Sequence, residues 1–199
     1  MIGFTILNRS RKKTVLLIHG VFTNSGYWLP YLSSLKDCRM LILDIDYRAI
    51  SDIGVYLRRL EEIIVGEAGG RVDAVIAHSL GTLLASRLPT QLRQVSYELC
   101  PVYGAKRLDS NSFVDHIEKQ LKFAMTCEQI RVVLAEVDDA LMLHSPLNPE
   151  GPTMPRGTIY LPDADPYFSY EPGAASRIFS GDHFDVMAMM EEIGRELSR

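Results

Sequence analysis

Apolar residues are distributed along this chain in two textures. Some form short unbroken runs; others recur every three or four positions. Thr14–Ile18 (TVLLI), Arg39–Asp46 (RMLILDID), Val72–Ala77, Gln94–Cys100 (QVSYELC) and Gln129–Ala135 (QIRVVLA) have the length and continuity of strands buried on both faces. Met1–Leu7 reads as an edge strand and Arg177–Ser180 as a last short one. The helical texture is clearest over Ser51–Gly66. There Ile53, Tyr56, Leu57, Leu60, Ile63 and Ile64 share a stripe, and Arg58, Arg59, Glu61 and Glu62 fall opposite. Ser51 is placed to cap this helix, and Gly66, Gly69 and Gly70 to end it. Further helices are expected over Gly26–Leu35 (capped by Asn24 or Ser25), over Thr82–Leu88 up to Pro89, and over Asn111–Met125. A closing helix aligns Met187, Met190, Ile193 and Leu197 as core packing.

Strands that alternate with helices and are apolar throughout imply the α/β class, a mostly parallel central sheet with helices on both faces. The pattern is continuous enough for a single domain over residues 1–199, without internal repeats. The rhythm breaks only at about 143–176, which holds seven of the ten prolines. That stretch reads as a proline-rich insertion, a long loop with at most a hairpin around Thr158–Leu161.

One junction carries chemistry. Val72–Ala77 runs into His78-Ser79-Leu80-Gly81 and then into an apolar helix. A serine flanked two positions away by small residues, at a strand-to-helix turn, is the pattern of a nucleophile elbow. The turn is sharp, so positions 77 and 81 face crowded backbone and admit only Ala or Gly. Ala77 replaces the glycine of the strict pattern and adds one methyl. The competing reading of Ser79 is a helix cap.

Composition narrows the function classes. With 199 residues, 47% apolar and 23% charged, the chain can bury the core of one domain. A net charge of −4 offers no electrostatic basis for binding nucleic acid or an anionic membrane. Cys38, Cys100 and Cys127 are odd in number and widely spaced, which argues against a disulfide framework and a zinc site. With no HExxH, GxGxxG or phosphate loop, neither metal nor cofactor is expected. No apolar run approaches the roughly 18 residues of a membrane span, and no leader opens the sequence, so the expectation is a cytoplasmic protein.

LIHG at Leu17–Gly20, AHSLG at Ala77–Gly81, AEVDD at Ala135–Asp139 and GDHF at Gly181–Phe184 each follow a predicted strand. In these pieces and their order the chain resembles the α/β-hydrolase superfamily over nearly its whole length, and particularly its small serine esterases and lipases without a large cap domain. The resemblance implies a minimal α/β-hydrolase fold and a triad whose members gather at one rim of the sheet. Ser79 is the nucleophile. A serine hydroxyl needs a base, and His183 is the choice. His19 takes the family's structural position, His78 lies inside the elbow, and His116 and His144 fall on a helix and in the proline-rich loop. The family's Gly-x-x-Asp arrangement puts Ala135 at the glycine and Asp138 at the acid, with Asp139 as the alternate and Asp163, Asp165 and Asp182 as remoter ones. The oxyanion hole falls to the backbone N–H groups of Val21 and Leu80, with Gly20 bending the chain between His19 and Val21.

Tyr27 and Trp28 are candidate substrate-pocket residues. Tyr160, Tyr167, Phe168 and Tyr170 either wall an acyl pocket or pack the insertion against the body. The function implied is a serine hydrolase that cleaves a small carboxylic ester or thioester through an acyl-enzyme. The same residues would serve an acyltransferase, perhydrolase or lyase, and a silent acyl-ligand-binding module would keep the fold without the reaction. Acyl length, leaving group and oligomeric state leave no mark on the sequence.

Overall fold

The structure is a computed structural model that describes residues 2–49, 53–102, 106–107, 110–120, 125–138 and 157–199. The chain begins with β1 (Ile2–Leu7) and β2 (Thr14–Ile18), then a 3-10 helix over Ser25–Leu35 and β3 (Arg39–Ile45). It continues with α1 (Ile53–Ala68), β4 (Val72–His78), α2 (Gly81–Arg87) and β5 (Arg93–Leu99). Next come the two-residue β6 (Lys106–Arg107), α3 (Ser110–Gln120) and α4 (Cys127–Asp138). Then follow β7 (Gly157–Pro162), β8 (Phe168–Ser169), β9 (Ser176–Phe179) and α5 (Met187–Leu197).

Seven strands form one sheet in the order β1-β3-β2-β4-β5-β7-β9. Every pairing is parallel except that of β1 with β3. The unbroken apolar runs are explained by burial on both faces. Leu16, Ile18, Leu41, Leu43, Val75 and Ala77 pack on one face with α1 and α2. Val15, Leu17, Met40, Ile42, Ala74 and Ile76 pack on the other with α5 and the 3-10 helix. Each fully buried Leu, Ile or Val contributes about 1.5–3 kcal/mol.

The expected helix at 26–35 is wound as 3-10 and contains Pro30, which has no N–H to donate to an α-helical ladder. Asn24 caps it, its Oδ1 accepting from the Gly26 amide at 2.8 Å. The cap proposed for α1, Ser51, lies outside the described residues.

Two expectations are corrected. Residues 129–135 are not a strand but part of α4, with Ile130 and Val133 buried on one face and Arg131 and Val132 exposed. Thr126 and Gln129 start that helix with reciprocal bonds: Thr126 N–H to Gln129 Oε1 at 2.8 Å, and Gln129 N–H to Thr126 Oγ1 at 3.3 Å. The second correction concerns 143–176. From Gly157 the chain is not insertion or hairpin but β7, a strand inside the sheet that pairs with β5 through Ser96↔Gly157 to Leu99↔Tyr160. Residues 139–156 lie outside the described set. The excursion from the sheet therefore falls between β5 and β7, where the described residues form β6 and the helices α3 and α4.

That excursion is tied back to the body. β6 pairs antiparallel with β8, Arg107 opposite Phe168. Val114 and Ile117 of α3 and Ile130 of α4 form a third apolar cluster with Tyr167 and Phe168.

Candidate active site

The turn after β4 holds Ser79 in the left-handed region, at φ +51°. A side chain there is strained, by roughly 1–3 kcal/mol, and such strain persists only where neighbours impose it. The neighbours are identifiable. The Ser79 amide donates to the Leu99 carbonyl at 2.9 Å, anchoring the elbow to the end of β5. Two glycines let β2 come close: a Cβ on Gly81 would stand 2.6 Å from the His19 carbonyl oxygen, and one on Gly20 2.8 Å from the Ser79 Cβ. Ala77 is fully buried beneath them.

His183 lies in the turn between β9 and α5. Its Nε2 is 2.9 Å from Ser79 Oγ, and its Nδ1 is 2.7 Å from Asp165 Oδ2. These contacts assign a tautomer in which Nδ1–H donates to the carboxylate and Nε2 accepts from the serine hydroxyl. Ser79 is 7% exposed and His183 2%.

The carboxylate beside His183 is thus Asp165, not Asp138. Asp138 closes α4 instead of following a strand, and Asp139 lies outside the described residues. The strand that precedes this carboxylate is β7. It ends at Pro162, and Asp165 follows by three positions, the spacing sought after Ala135. Asp165 Oδ1 accepts from the Tyr167 and Phe168 amides at 2.8 and 3.1 Å, and Oδ2 also accepts from the Tyr170 hydroxyl at 2.7 Å. Burial works to raise this carboxyl, but the bonds from His183, Tyr170 and the Tyr167 amide outweigh it and hold the group below the ordinary aspartate range.

The main chain around His183 is fastened on several sides. His78 Nε2–H donates to the His183 carbonyl at 2.7 Å, and the Tyr27 and Tyr31 hydroxyls donate to the Phe184 carbonyl at 3.3 and 3.1 Å. Asp182 Oδ1 accepts from the Phe184 and Asp185 amides, and Asp163 Oδ1 from Gly181. His78 is fully buried and stacked on Tyr27, with centroids 4.6 Å apart. Desolvation brings its pKa down to about 3, so the ring beside His183 is uncharged.

His19 is fully buried in a bridging role. Its Nδ1–H donates to the Gly20 carbonyl at 2.8 Å and its Nε2 accepts from the Ile45 amide at 2.9 Å. Burial lowers its pKa as well. It ties the end of β3 to the turn that carries Val21. Phe22, next in that turn, is left-handed at φ +60°. Neither the Val21 nor the Leu80 amide donates to a backbone carbonyl among the described residues.

The pocket expectations divide. Trp28 is fully buried in the core between α5 and the sheet, so it lines no pocket. Tyr27 is occupied behind the elbow with His78 and Phe184. Tyr160 packs far along β7, its hydroxyl donating to Glu192 of α5 at 3.3 Å. Besides His78 at 5.2 Å, the aromatic rings around His183 are Phe184, Phe168 and Tyr167, at centroid distances of 5.2, 5.3 and 5.7 Å. His116 of α3 stacks on Phe184 at 6.1 Å, so the excursion roofs this aromatic rim.

Among the described residues, no group of three or more His, Cys, Asp or Glu side chains could hold a metal ion, and no helix is long and apolar enough to cross a membrane.

The sequence matches no protein-family model, and no curated protein sequence is significantly similar to it. Solved structures do match. One is MGS-MChE2, an alpha/beta hydrolase enzyme from the metagenome of sediments of the Mar Chica lagoon, Morocco. It aligns at a TM-score of 0.66 and 15% identity, over 99% of this chain and 93% of that one. A lipase-esterase related protein from Clostridium acetobutylicum aligns at 0.64 and 12% identity, over 100% and 98% of the two chains. A thioesterase domain from the curacin biosynthetic pathway aligns at 0.60 and 11% identity, over 100% and 95%. At such identities the likeness is one of architecture. With its mostly parallel seven-stranded sheet, its elbow after β4 and its histidine turn before α5, the chain has the α/β-hydrolase fold.

Proposed function

We propose that the protein is a serine hydrolase that cleaves a carboxylic ester or thioester through an acyl-enzyme. The observation that carries this reading is the unbroken line from Ser79 Oγ to His183 Nε2 at 2.9 Å and from His183 Nδ1 to Asp165 Oδ2 at 2.7 Å. In it His183 takes the Ser79 proton as Oγ attacks the acyl carbon, then returns it to the leaving alcohol or thiol. Water, deprotonated by the same imidazole, then cleaves the acyl-enzyme. Asp165 fixes the tautomer and stabilises the imidazolium. The Val21 and Leu80 amides receive the oxyanion, each such donor being worth about 10²–10³ in rate. Phe184, the partly exposed ring 5.2 Å from the imidazole, suits contact with an apolar acyl or aryl group, while Tyr167 and Phe168 are buried behind it. The esterase- and thioesterase-related names of the solved structures above agree with this class of reaction.

The test is a series of p-nitrophenyl esters and acyl thioesters given to the wild type and to Ser79→Ala, with a fluorophosphonate probe alongside. The expected result is probe adduct on Ser79 and a loss of turnover of about 10⁶-fold in the variant. Turnover that survives Ser79→Ala, or a probe that finds no adduct at Ser79, would overturn the reading.

A further inference from the structure

His183 does not have Asp165 Oδ2 to itself. The Tyr170 hydroxyl donates to that same oxygen at 2.7 Å, the distance of the His183 Nδ1 contact, while Oδ1 is taken by the Tyr167 and Phe168 amides. The carboxylate is 1% exposed, so these four donors replace its water.

We propose that Tyr170 is a positioning residue of this site, which acts through Asp165 to set how strongly His183 holds a proton. A carboxylate oxygen that accepts a second strong bond is less basic toward the first donor, so its pull on an imidazolium is weaker. The catalytic consequence rests on the serine-hydrolase reading; the coupling itself does not. The phenol is held in place from both sides. Its chain neighbours Phe168 and Ser169 form β8, hydrogen-bonded to β6 of the excursion, and the turn before them is closed by Asp165, which accepts from the Tyr167 and Phe168 amides.

The His183 ring has other titratable neighbours: His78 from the end of β4, His116 from α3, Tyr167 from the acid turn and Asp182 from its own turn. His78 and His116 are pushed down by burial, and Tyr167 is pushed up by it. None of these groups is altered by Tyr170→Phe, which deletes one oxygen and keeps the ring.

The experiment is NMR titration of His183 in histidine-labelled wild type, in Tyr170→Phe, and in protein carrying 3-fluorotyrosine at 170, a stronger donor. Tyr170→Phe is expected to raise the His183 midpoint by about half a unit to one unit and to move the Nδ1 proton resonance downfield. The fluorotyrosine should move both the other way. The acid limb of kcat/KM on a p-nitrophenyl ester should follow the same order. Midpoints and resonances that coincide in all three proteins, or that move in the reverse order, would overturn the proposal. If the titrations move as expected while the wild type hydrolyses no ester, the coupling stands and the hydrolase reading falls.

Discussion

Gly20 lies directly against Ser79: a Cβ built on the glycine would come to 2.8 Å from the serine Cβ, closer than two such atoms approach. The turn that carries Val21 and the turn that carries Ser79 therefore come this close only because a single methyl is absent. Three substitutions test how much of the site depends on such close approaches.

Gly20→Ala and Gly81→Ala should each destabilise by about 1–3 kcal/mol and depress labelling of Ser79, because the added carbon meets Ser79 or the Ile18 and His19 carbonyls. Gly66→Ala is the control. Its Cβ would have nothing within 4 Å, and in the last turn of α1 an alanine should raise stability by up to about 0.5–1 kcal/mol. Urea unfolding of the three variants gives the order.

Asp165→Asn should lower kcat by about 10⁴, since an amide in that place favours the wrong imidazole tautomer. Asp138→Asn, at the end of α4, should stay within about twofold of wild type. Steady-state rates on one ester decide between them. The reverse order would return the acid to the sequence-derived position.

The two aspartates also mark what the sequence made legible. The elbow, β2, β3 and β4 could be read because their signals are local: an apolar run, a small-residue turn and a polar helix face follow one another within a few residues. The acid could not be read that way. In QIRVVLA the β-branched Ile130, Val132 and Val133 imitate a strand, but Ile130 and Val133 are buried while Val132 is exposed, a helical spacing. The signal that would have found α4 was Thr126 with Gln129 three positions on, a capping box. For β7, six residues among prolines were too few to announce a central strand, and Pro162 stood where a glycine was sought. Its partner β5 lies some sixty residues earlier, and such pairing leaves no local trace. The bonds of His78 and Tyr170 were beyond reach for the same reason, as each depends on segments meeting in space.

His78→Phe removes the donor that holds the His183 carbonyl and keeps an aromatic ring against Tyr27. The expected result is a fall in kcat of about 10–100-fold with KM within about twofold, the mark of a misplaced base rather than a damaged binding surface. His78→Gln, whose amide nitrogen reaches a similar position, should recover part of the loss. Equal rates in all three proteins would remove His78 from the site's support.

Glu98 supplies a test by pH. This residue of β5 is fully buried, and desolvation raises its carboxyl from 4.5 to about 7, against the smaller opposing pull of Arg93. A raised pKa means the folded state holds the proton more tightly than the unfolded chain. The associated stability is therefore present below pH 4.5 and is lost as pH rises through about 7. Glu98→Gln cannot ionise, so its advantage over wild type should be near zero below pH 4.5 and grow to about 1–3 kcal/mol at pH 8. Because the His78 contribution is common to both proteins, the difference between their thermal midpoints isolates Glu98. A difference that does not change with pH would refute the assignment.

Phe22, Ser79 and Cys100 are all non-glycine residues with positive φ, and all follow a strand at the same end of the sheet. Anyone seeking a hardier version of this protein would find that edge the most tempting place to start, since glycine at 22 or 100 would relax the chain. It is also the edge that holds the Ser79 hydroxyl 2.9 Å from the His183 imidazole. Durability is better sought in the outer helices, where a gain in melting temperature leaves turnover untouched.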